Sequence, residues 1–191
     1  MKEAIKRSNF TYQDYIKLPE GERVELIDGS IYAMSPAPSR IHQRLVTEVS
    51  RKIGNYIENQ KGNCEIYVAP FDVRFLEEGE SDEKNKNTVQ PDISVICDRS
   101  KLDDKGCKGA PDFIIEVVSP SNSSVDYVKK VYLYEKFKVR EYWIINPNTR
   151  TVTVYRLNSD ELYGEPEKFS FQDRIIVGIY DKLEMVLSDL L

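Results

Sequence analysis

The segment FIIEVV, residues 113–118, constrains the fold more than any other part of the chain. Its apolar and β-branched residues occupy both faces of an extended chain, as expected of a central strand that is covered on both sides. Glu116 lies inside this run. Burying a carboxylate costs free energy unless a cation or a basic side chain compensates it. The segment therefore predicts a layered α/β fold and, for Glu116, either a structural Arg or Lys partner or a bound cation.

The segments around this strand predict a mixed α/β sheet with helices on both faces. Apolar residues recur at every fourth position from Ile41 to Ile57, which predicts a long amphipathic helix. The dipeptide Asp28-Gly29 between alternating apolar residues predicts a hairpin near the N-terminus. A helix over roughly 124–138 is predicted to connect two neighbouring strands. Further strands are predicted in CEIYVAPFDVRFL, VQPDISVIC, EYWIINP and TVTVYRL.

The size and polarity of the chain are those of an ordinary globular protein. Its 191 residues predict one domain, 1–191, because this length falls within the usual range for a domain and can bury a substantial core. No stretch approaches the roughly 18 uncharged apolar residues that a membrane span needs, and the N-terminus has no apolar secretory segment. We therefore expect a cytoplasmic protein without a membrane span.

The histidine count, the cysteine count and the net charge limit the kinds of functional site that this chain can form. His42 is the only histidine, which excludes multi-histidine metal sites. Cys64, Cys97 and Cys107 are odd in number and lack CxxC spacing, which argues against a disulfide framework or a zinc ribbon and favours a reducing cytoplasm. The formal net charge of −5 argues against a general DNA-coating protein, but carboxylates that hold cations also make a nuclease acidic. The chemistry must rest mainly on carboxylates and lysine.

Asp92 is the second candidate carboxylate. It follows Pro91 at the start of a predicted strand. A competing Pro-Asp pair ends in Asp112, which has the same strand parity as Glu116. Four residues of extended chain separate Asp112 from Glu116 by roughly 13 Å, which is too far for both to hold one ion. We therefore expect Asp112 to be a strand-start or turn residue.

Helical geometry distinguishes one lysine from its neighbours. At about 100° per residue along 124–138, Lys130 projects into the middle of an aromatic stripe. That stripe is formed by Tyr127, Tyr134 and Phe137, with Asp126 beside it. Lys129 and Lys136 project the other way and have the solvated character expected of lysine. A snorkelling Lys130, with a buried stem and an exposed ammonium, is the structural alternative. We expect Lys130 to face the sheet and Lys129 to be dispensable.

Several motifs together carry a family resemblance. They are ELIDG (25–29), His42-Gln43, VQPDISVI (89–96), GAPDFIIEVVSPS (109–121), Asp126 with Lys130 and Tyr134, and VREYWIINP (139–147). In order and spacing they resemble the Uma-two family of restriction endonucleases, a branch of the PD-(D/E)XK superfamily. Each motif is weak alone, but the set is strong and covers most of the chain.

The resemblance implies a restriction-endonuclease-like core, a mixed sheet flanked by helices, with an extra N-terminal hairpin. It implies that Asp92 and Glu116 bind Mg²⁺, with Mn²⁺ as a substitute. The acidic strand has the pattern E-V-x-S instead of E-x-K, and the family supplies its lysine from the following helix, here Lys130. Replacing Asp92 or Lys130 by Ala is expected to abolish cleavage and leave the fold intact.

The implied substrate is DNA, most simply double-stranded, and the enzyme class implies a homodimer because cutting two strands usually needs two active sites. Two other hypotheses for the function stay open. One is a catalytically inactive binding or interaction module that retains the nuclease fold. The other is a metal-dependent hydrolase of another phosphate ester.

Four residues are accessory candidates. Glu25 could add a metal ligand or hold Lys130, or it could form an ion pair beside the hairpin turn. His42 is expected to be a satisfied structural histidine. Gln90 resembles the polar residue that often precedes the Pro-Asp of the family, and could position water. Asp126 lies beside Lys130 in the helical projection.

Overall fold

The computed structural model describes residues 9–19, 22–34, 38–118 and 125–191, with the side chains of 125–127 outside the description. The helices are α1 (Tyr12–Tyr15), α2 (Arg40–Asn59) and α3 (Val131–Lys136), and a π-helical turn (Val125–Lys130) leads directly into α3. The strands are β1 (Val24–Ile27), β2 (Ser30–Ala33), β3 (Glu65–Val68), β4 (Val73–Arg74), β5 (Thr88–Val89), β6 (Ile93–Ile96), β7 (Leu102–Asp103), β8 (Gly106–Lys108), β9 (Phe113–Val117), β10 (Glu141–Asn146), β11 (Thr151–Arg156), β12 (Glu167–Ser170), β13 (Ile175–Ile176) and β14 (Glu184–Met185). Short 3₁₀ turns span Asp82–Lys84, Arg99–Lys101 and Leu187–Leu190. Within these ranges, no helix has both the length and the apolar character that crossing a membrane requires.

β9 lies in the interior of a six-stranded sheet with the order β12-β11-β10-β9-β6-β3. It pairs in parallel with β10 and antiparallel with β6, so the sheet is mixed. Every residue of β9 is buried, which explains why its sequence has no polar face. The mixed α/β class is confirmed, and β9 is the two-sided central strand that the sequence predicted.

Different helices cover the two faces of this sheet. On one face, α2 buries the residues Leu45, Val49, Ile53 and Ile57. They belong to one apolar cluster with Ile115 and Val117 of β9. On the other face, Tyr134 of α3 belongs to a second cluster with Ile114. Since successive side chains of a strand point to opposite faces, Glu116 is directed to the α3 face.

The N-terminal hairpin belongs to a second six-stranded sheet, with the order β2-β1-β5-β4-β8-β7. Asp28 and Gly29 form its turn with φ of 47° and 69°, the left-handed conformation that glycine adopts without steric cost. The hairpin prediction is confirmed, but the strands are divided between two large sheets. β1 pairs with β5 at Leu26 and Thr88, which brings Glu25 close to the segment that leads into β6.

Cys64 and Cys97 form a disulfide bond. The pairing of β3 with β6 brings these cysteines together, because Glu65 lies opposite Ile96 and each cysteine is adjacent to one of these two residues. The expectation against disulfides is wrong for this pair, because the two cysteines are 33 residues apart and only the sheet register brings them together. Cys107 is a buried free thiol. The cysteine pattern therefore gives no argument for a reducing compartment.

Candidate active site

Glu116 is the buried carboxylate at the centre of the candidate site. The residue is 5% exposed. Its Oε1 accepts hydrogen bonds from Lys130 Nζ at 2.8 Å and from the Tyr134 hydroxyl at 3.0 Å. Bonds to a cationic donor are stronger than neutral ones, and they favour the ionised carboxylate. Glu116 therefore has a basic partner that compensates its burial, as its place in an apolar strand required.

Lys130 is the last residue of the π-helical turn before α3 and is only 2% exposed. Its Nζ lies 2.8 Å from Glu116 Oε1 and 2.9 Å from Glu25 Oε1. The side chain points to the sheet, in the direction that the helical projection predicted. The snorkelling alternative is wrong because the ammonium group itself is buried. π-helical turns are rare and occur frequently at functional sites.

Glu25 reaches this lysine from the second sheet. Its Oε1 also accepts a hydrogen bond from the backbone N–H of Gln90 at 2.9 Å. The Gln90 side chain has different partners, since its Nε2 donates to Asp72 Oδ1 at 2.8 Å and to the Tyr15 hydroxyl at 3.2 Å. Gln90 therefore fixes Glu25 through its backbone, while its amide belongs to a separate polar network.

Tyr134 also contacts Glu116. The sequence places it in the aromatic stripe but gives no sign of its polar role. Burial raises the pKa of its hydroxyl well above 10, and the neighbouring Glu116 carboxylate raises this pKa further. The hydroxyl therefore stays protonated at neutral pH and donates its hydrogen bond to Glu116.

Asp92 lies at the same end of β9 as Glu116, on the side of α2. It comes one residue before β6, which pairs with β9 by placing Ile93 opposite Ile115. Its Oδ2 accepts a hydrogen bond from the Val117 backbone N–H at 2.8 Å and lies 3.1 Å from His42 Nε2. His42 Nδ1 is buried and has no hydrogen-bond partner among the described residues. His42 is thus a direct partner of Asp92, and differs from the fully satisfied structural histidine that the sequence favoured.

The peptide unit between Glu116 and Val117 joins the two halves of the site. The Glu116 side chain binds Lys130 on the α3 face, and the Val117 N–H of that peptide unit binds Asp92. The structure therefore brings Asp92, Glu116 and Lys130 to one end of the paired strands β6 and β9.

The remaining sequence candidates lie elsewhere or outside the description. Asp112 Oδ2 accepts a hydrogen bond from the Cys97 N–H at 2.8 Å, and Asp112 Oδ1 pairs with Arg140 at 3.1 Å. Asp112 therefore stabilises the start of β9, away from Asp92 and Glu116. The Asp126 side chain falls outside the described residues. Lys136 is on the outer face of α3, where it forms an ion pair with Glu77 at 2.5 Å.

The carboxylates of this site are ligands of the type that hard divalent cations prefer. Asp92, Glu116 and Glu25 offer oxygen donors, which Mg²⁺ and Mn²⁺ prefer. No group of three His, Cys, Asp or Glu side chains forms a ready-made cation site within the described part of the chain. Mg²⁺ is commonly held by one or two carboxylates and keeps several waters. Asp92 and Glu116, with a backbone carbonyl, are therefore sufficient in number for this ion.

Comparisons with known proteins supply the context for this geometry. A family model named Uma2, with the description "Putative restriction endonuclease", matches residues 12–186. The chain is similar to the crystal structure of a "putative nuclease belonging to DUF820" from Anabaena variabilis, with a TM-score of 0.74 and 26% identity, and the match covers 95% of this chain and 97% of that one. It is also 26% identical over 151 residues to an uncharacterized protein of Synechocystis sp., which covers 78% of this chain and 74% of that protein.

Proposed function

Because the chain belongs to the Uma2 family of restriction-endonuclease-like proteins, we propose that it is a Mg²⁺-dependent endonuclease that hydrolyses phosphodiester bonds in double-stranded DNA. The observation that carries this proposal is the position of Lys130, whose Nζ lies 2.8 Å from Glu116 Oε1 at the strand end that also holds Asp92. A carboxylate pair with a nearby lysine meets the needs of phosphodiester hydrolysis, which requires an activated water and compensation of developing negative charge.

Asp92 and Glu116 would hold the metal, together with a backbone carbonyl near Val117. When bound, Mg²⁺, or Mn²⁺ in its place, would lower the pKa of a coordinated water and offset charge on the phosphate. The Val117 N–H and His42 both contact Asp92 Oδ2, so they fix the direction in which this carboxylate faces. Tyr134 does the same for Glu116 through its hydrogen bond to Oε1.

Lys130 would orient the attacking water or offset charge on the scissile phosphate. Its ammonium carries three N–H donors, and the two carboxylates of Glu25 and Glu116 hold it in place. A group that is fixed before the reaction begins stabilises transition-state charge without having to reorganise. Glu25 is therefore a positioning residue that acts through Lys130.

We propose a homodimer as the working form. Each chain presents one such site, and cutting both strands of a duplex at one position uses two. The alternative function is a nuclease-fold module that binds a partner without catalysis, and it differs from the proposal in having no metal-dependent cleavage.

Cleavage of supercoiled plasmid and of single-stranded DNA, in Mg²⁺ or Mn²⁺ and in EDTA, tests the proposal. Two variants form a matched pair, because both remove the charge of an aspartate that follows a proline. Asp92→Asn should abolish cleavage, and Asp112→Asn should retain it since Asp112 keeps an oxygen to accept the Cys97 N–H. Wild-type protein that cuts neither DNA in either metal would overturn the proposal in favour of the inactive module. Full activity in Asp92→Asn would remove Asp92 from the mechanism.

A further inference from the structure

A groove lies between the β1–β2 hairpin and the helical segment that carries Lys130. Its volume is about 260 Å³, and its lining includes Asp28 and Tyr32 from the hairpin and Val128, Lys129 and Tyr132 from the helix. The hairpin also provides Glu25 and the helical segment also provides Lys130. The same two elements therefore contribute residues to the groove and to the candidate active site.

The lining combines exposed apolar surface with a cation. Tyr132 is 63% exposed and Val128 is 68% exposed, although valine is among the residues that are most often buried. Lys129 Nζ lies 3.9 Å from the centroid of the Tyr32 ring and donates a hydrogen bond to the Tyr32 hydroxyl. Aromatic rings beside a basic side chain are the arrangement with which proteins bind single-stranded nucleic acid, because bases stack on the rings and phosphates pair with the cation.

We propose that this groove binds one unpaired nucleobase of the DNA strand that enters the active site. The base would stack on Tyr132, and Lys129 would pair with the adjoining phosphate. The inference rests on the proposed function, because DNA is the ligand that the neighbouring site would act on. It revises the expectation that Lys129 is dispensable.

The size and polarity of the groove favour a single base over a duplex. Its 260 Å³ is below the roughly 300–1,000 Å³ of pockets that enclose drug-sized molecules, so it has room for about one ring system. A paired base is covered on both faces by its neighbours in the stack and cannot lie on Tyr132. The Asp28 carboxylate in the lining can accept a hydrogen bond from an exocyclic amino group, as acidic side chains do with cytosine.

Fluorescence anisotropy in EDTA tests this site without requiring cleavage. The probes are a fluorescein-labelled single strand, a blunt duplex, and the same duplex with one unpaired nucleotide. We expect Tyr132→Ala to weaken binding of the single strand and the bulged duplex about tenfold, and to change binding of the blunt duplex much less. Tyr132→Phe keeps the ring and should bind like wild type. Leu162→Ala removes another exposed apolar side chain, 51% exposed and outside the groove, and is the matched control.

Three results would overturn the inference: wild-type protein that binds none of the probes, Tyr132→Ala that binds all of them like wild type, or an equal loss for paired and unpaired DNA. Thermal unfolding of Tyr132→Ala verifies that the exposed substitution leaves the fold intact. If the wild-type protein cleaves plasmid but its DNA binding does not depend on Tyr132, the result contradicts base binding in the groove and leaves the proposed function standing. Tyr132-dependent binding of unpaired DNA by a protein that never cleaves would contradict the proposed function alone.

Discussion

Lys130 and Glu116 form a buried ion pair, with Nζ and Oε1 2.8 Å apart, although one comes from a helical turn and the other from the central strand. Glu25 contributes a second carboxylate to the same lysine from a different sheet. The pair thus joins the two sheets and α3 at one buried point. Among the described residues, two carboxylates face one ammonium at this point.

This geometry changes what the Lys130→Ala variant should do to stability. The sequence suggested an intact fold, but the substitution removes the buried ammonium that contacts both Glu25 and Glu116. We expect the free energy of unfolding to fall by about 3–5 kcal/mol, as for other broken buried ion pairs. Combining the change with Glu25→Gln should recover part of the loss because one charge is removed. Urea denaturation measures both, and Lys136→Ala, a surface lysine, should change stability by less than about 0.5 kcal/mol. Equal effects of the two lysine variants would contradict the burial of this pair.

His42 should act on metal binding through Asp92. Its Nε2 lies 3.1 Å from Asp92 Oδ2, so His42→Ala removes one of the two contacts that orient this carboxylate. We expect the Mg²⁺ concentration for half-maximal cleavage to rise about 10–100-fold, the usual effect of losing a partner of a metal ligand. Gln43→Ala, at the exposed next position of α2, is the control. An unchanged Mg²⁺ dependence in His42→Ala would show that the contact has no part in metal binding.

Tyr134→Phe should lower the free energy of unfolding at neutral pH. It should also make that free energy fall less as the pH is raised into the alkaline range. The missing hydrogen bond to a charged acceptor corresponds to about 1.5–3 kcal/mol. The pKa of the Tyr134 hydroxyl is raised in the folded protein, so the stability that it contributes is complete below the unfolded pKa of about 10 and declines as the pH rises above it. Comparing urea unfolding of wild type and Tyr134→Phe at neutral and alkaline pH isolates this residue, since the other tyrosines titrate in both proteins. Parallel pH profiles would contradict the raised pKa.

Cys107 should be unreactive in the folded protein. Its side chain is buried, and burial raises the pKa of the thiol to about 12. Since only thiolate is nucleophilic, DTNB at about pH 8 should label no cysteine in the native, unreduced protein. Denaturation without reductant should expose one thiol, and reduction should bring the total to the three cysteines of the sequence. Three thiols in the denatured, unreduced protein would contradict the Cys64–Cys97 pairing.

Features with a strong local signal could be predicted from the sequence. The two-sided apolar run marked β9, and the fourfold spacing marked the buried face of α2. Helical projection selected Lys130 because a residue in the middle of a wide stripe still faces the sheet when the local helix is π instead of α. Asp112 was excluded by the rise of a strand, and its contacts with Cys97 and Arg140 agree with a strand-start role.

Features that depend on register between distant segments could not be predicted. The Cys64–Cys97 bond follows from the pairing of β3 with β6, which no local pattern specifies. The contact of Glu25 with Lys130 depends on how the second sheet meets the first. Burial of single residues within charged segments depends on such contacts too: between residues 77 and 87, most side chains are exposed, but Asn85 is buried and its amide donates to the Asn87 carbonyl oxygen.

The role of Lys130 is tested most directly by the rate of Mg²⁺-dependent plasmid cleavage in Lys130→Met, with Lys136→Met as the matched surface control. Methionine keeps most of the side-chain volume and removes the charge. Circular dichroism must show both variants folded at the assay temperature, and Lys130→Met combined with Glu25→Gln offers a second, less strained test. We expect Lys130→Met, alone and combined, to be slower by about 10²–10³-fold and Lys136→Met to match wild type. A folded Lys130→Met that cleaves within about twofold of wild type would contradict a catalytic Lys130 and leave it a structural ion pair.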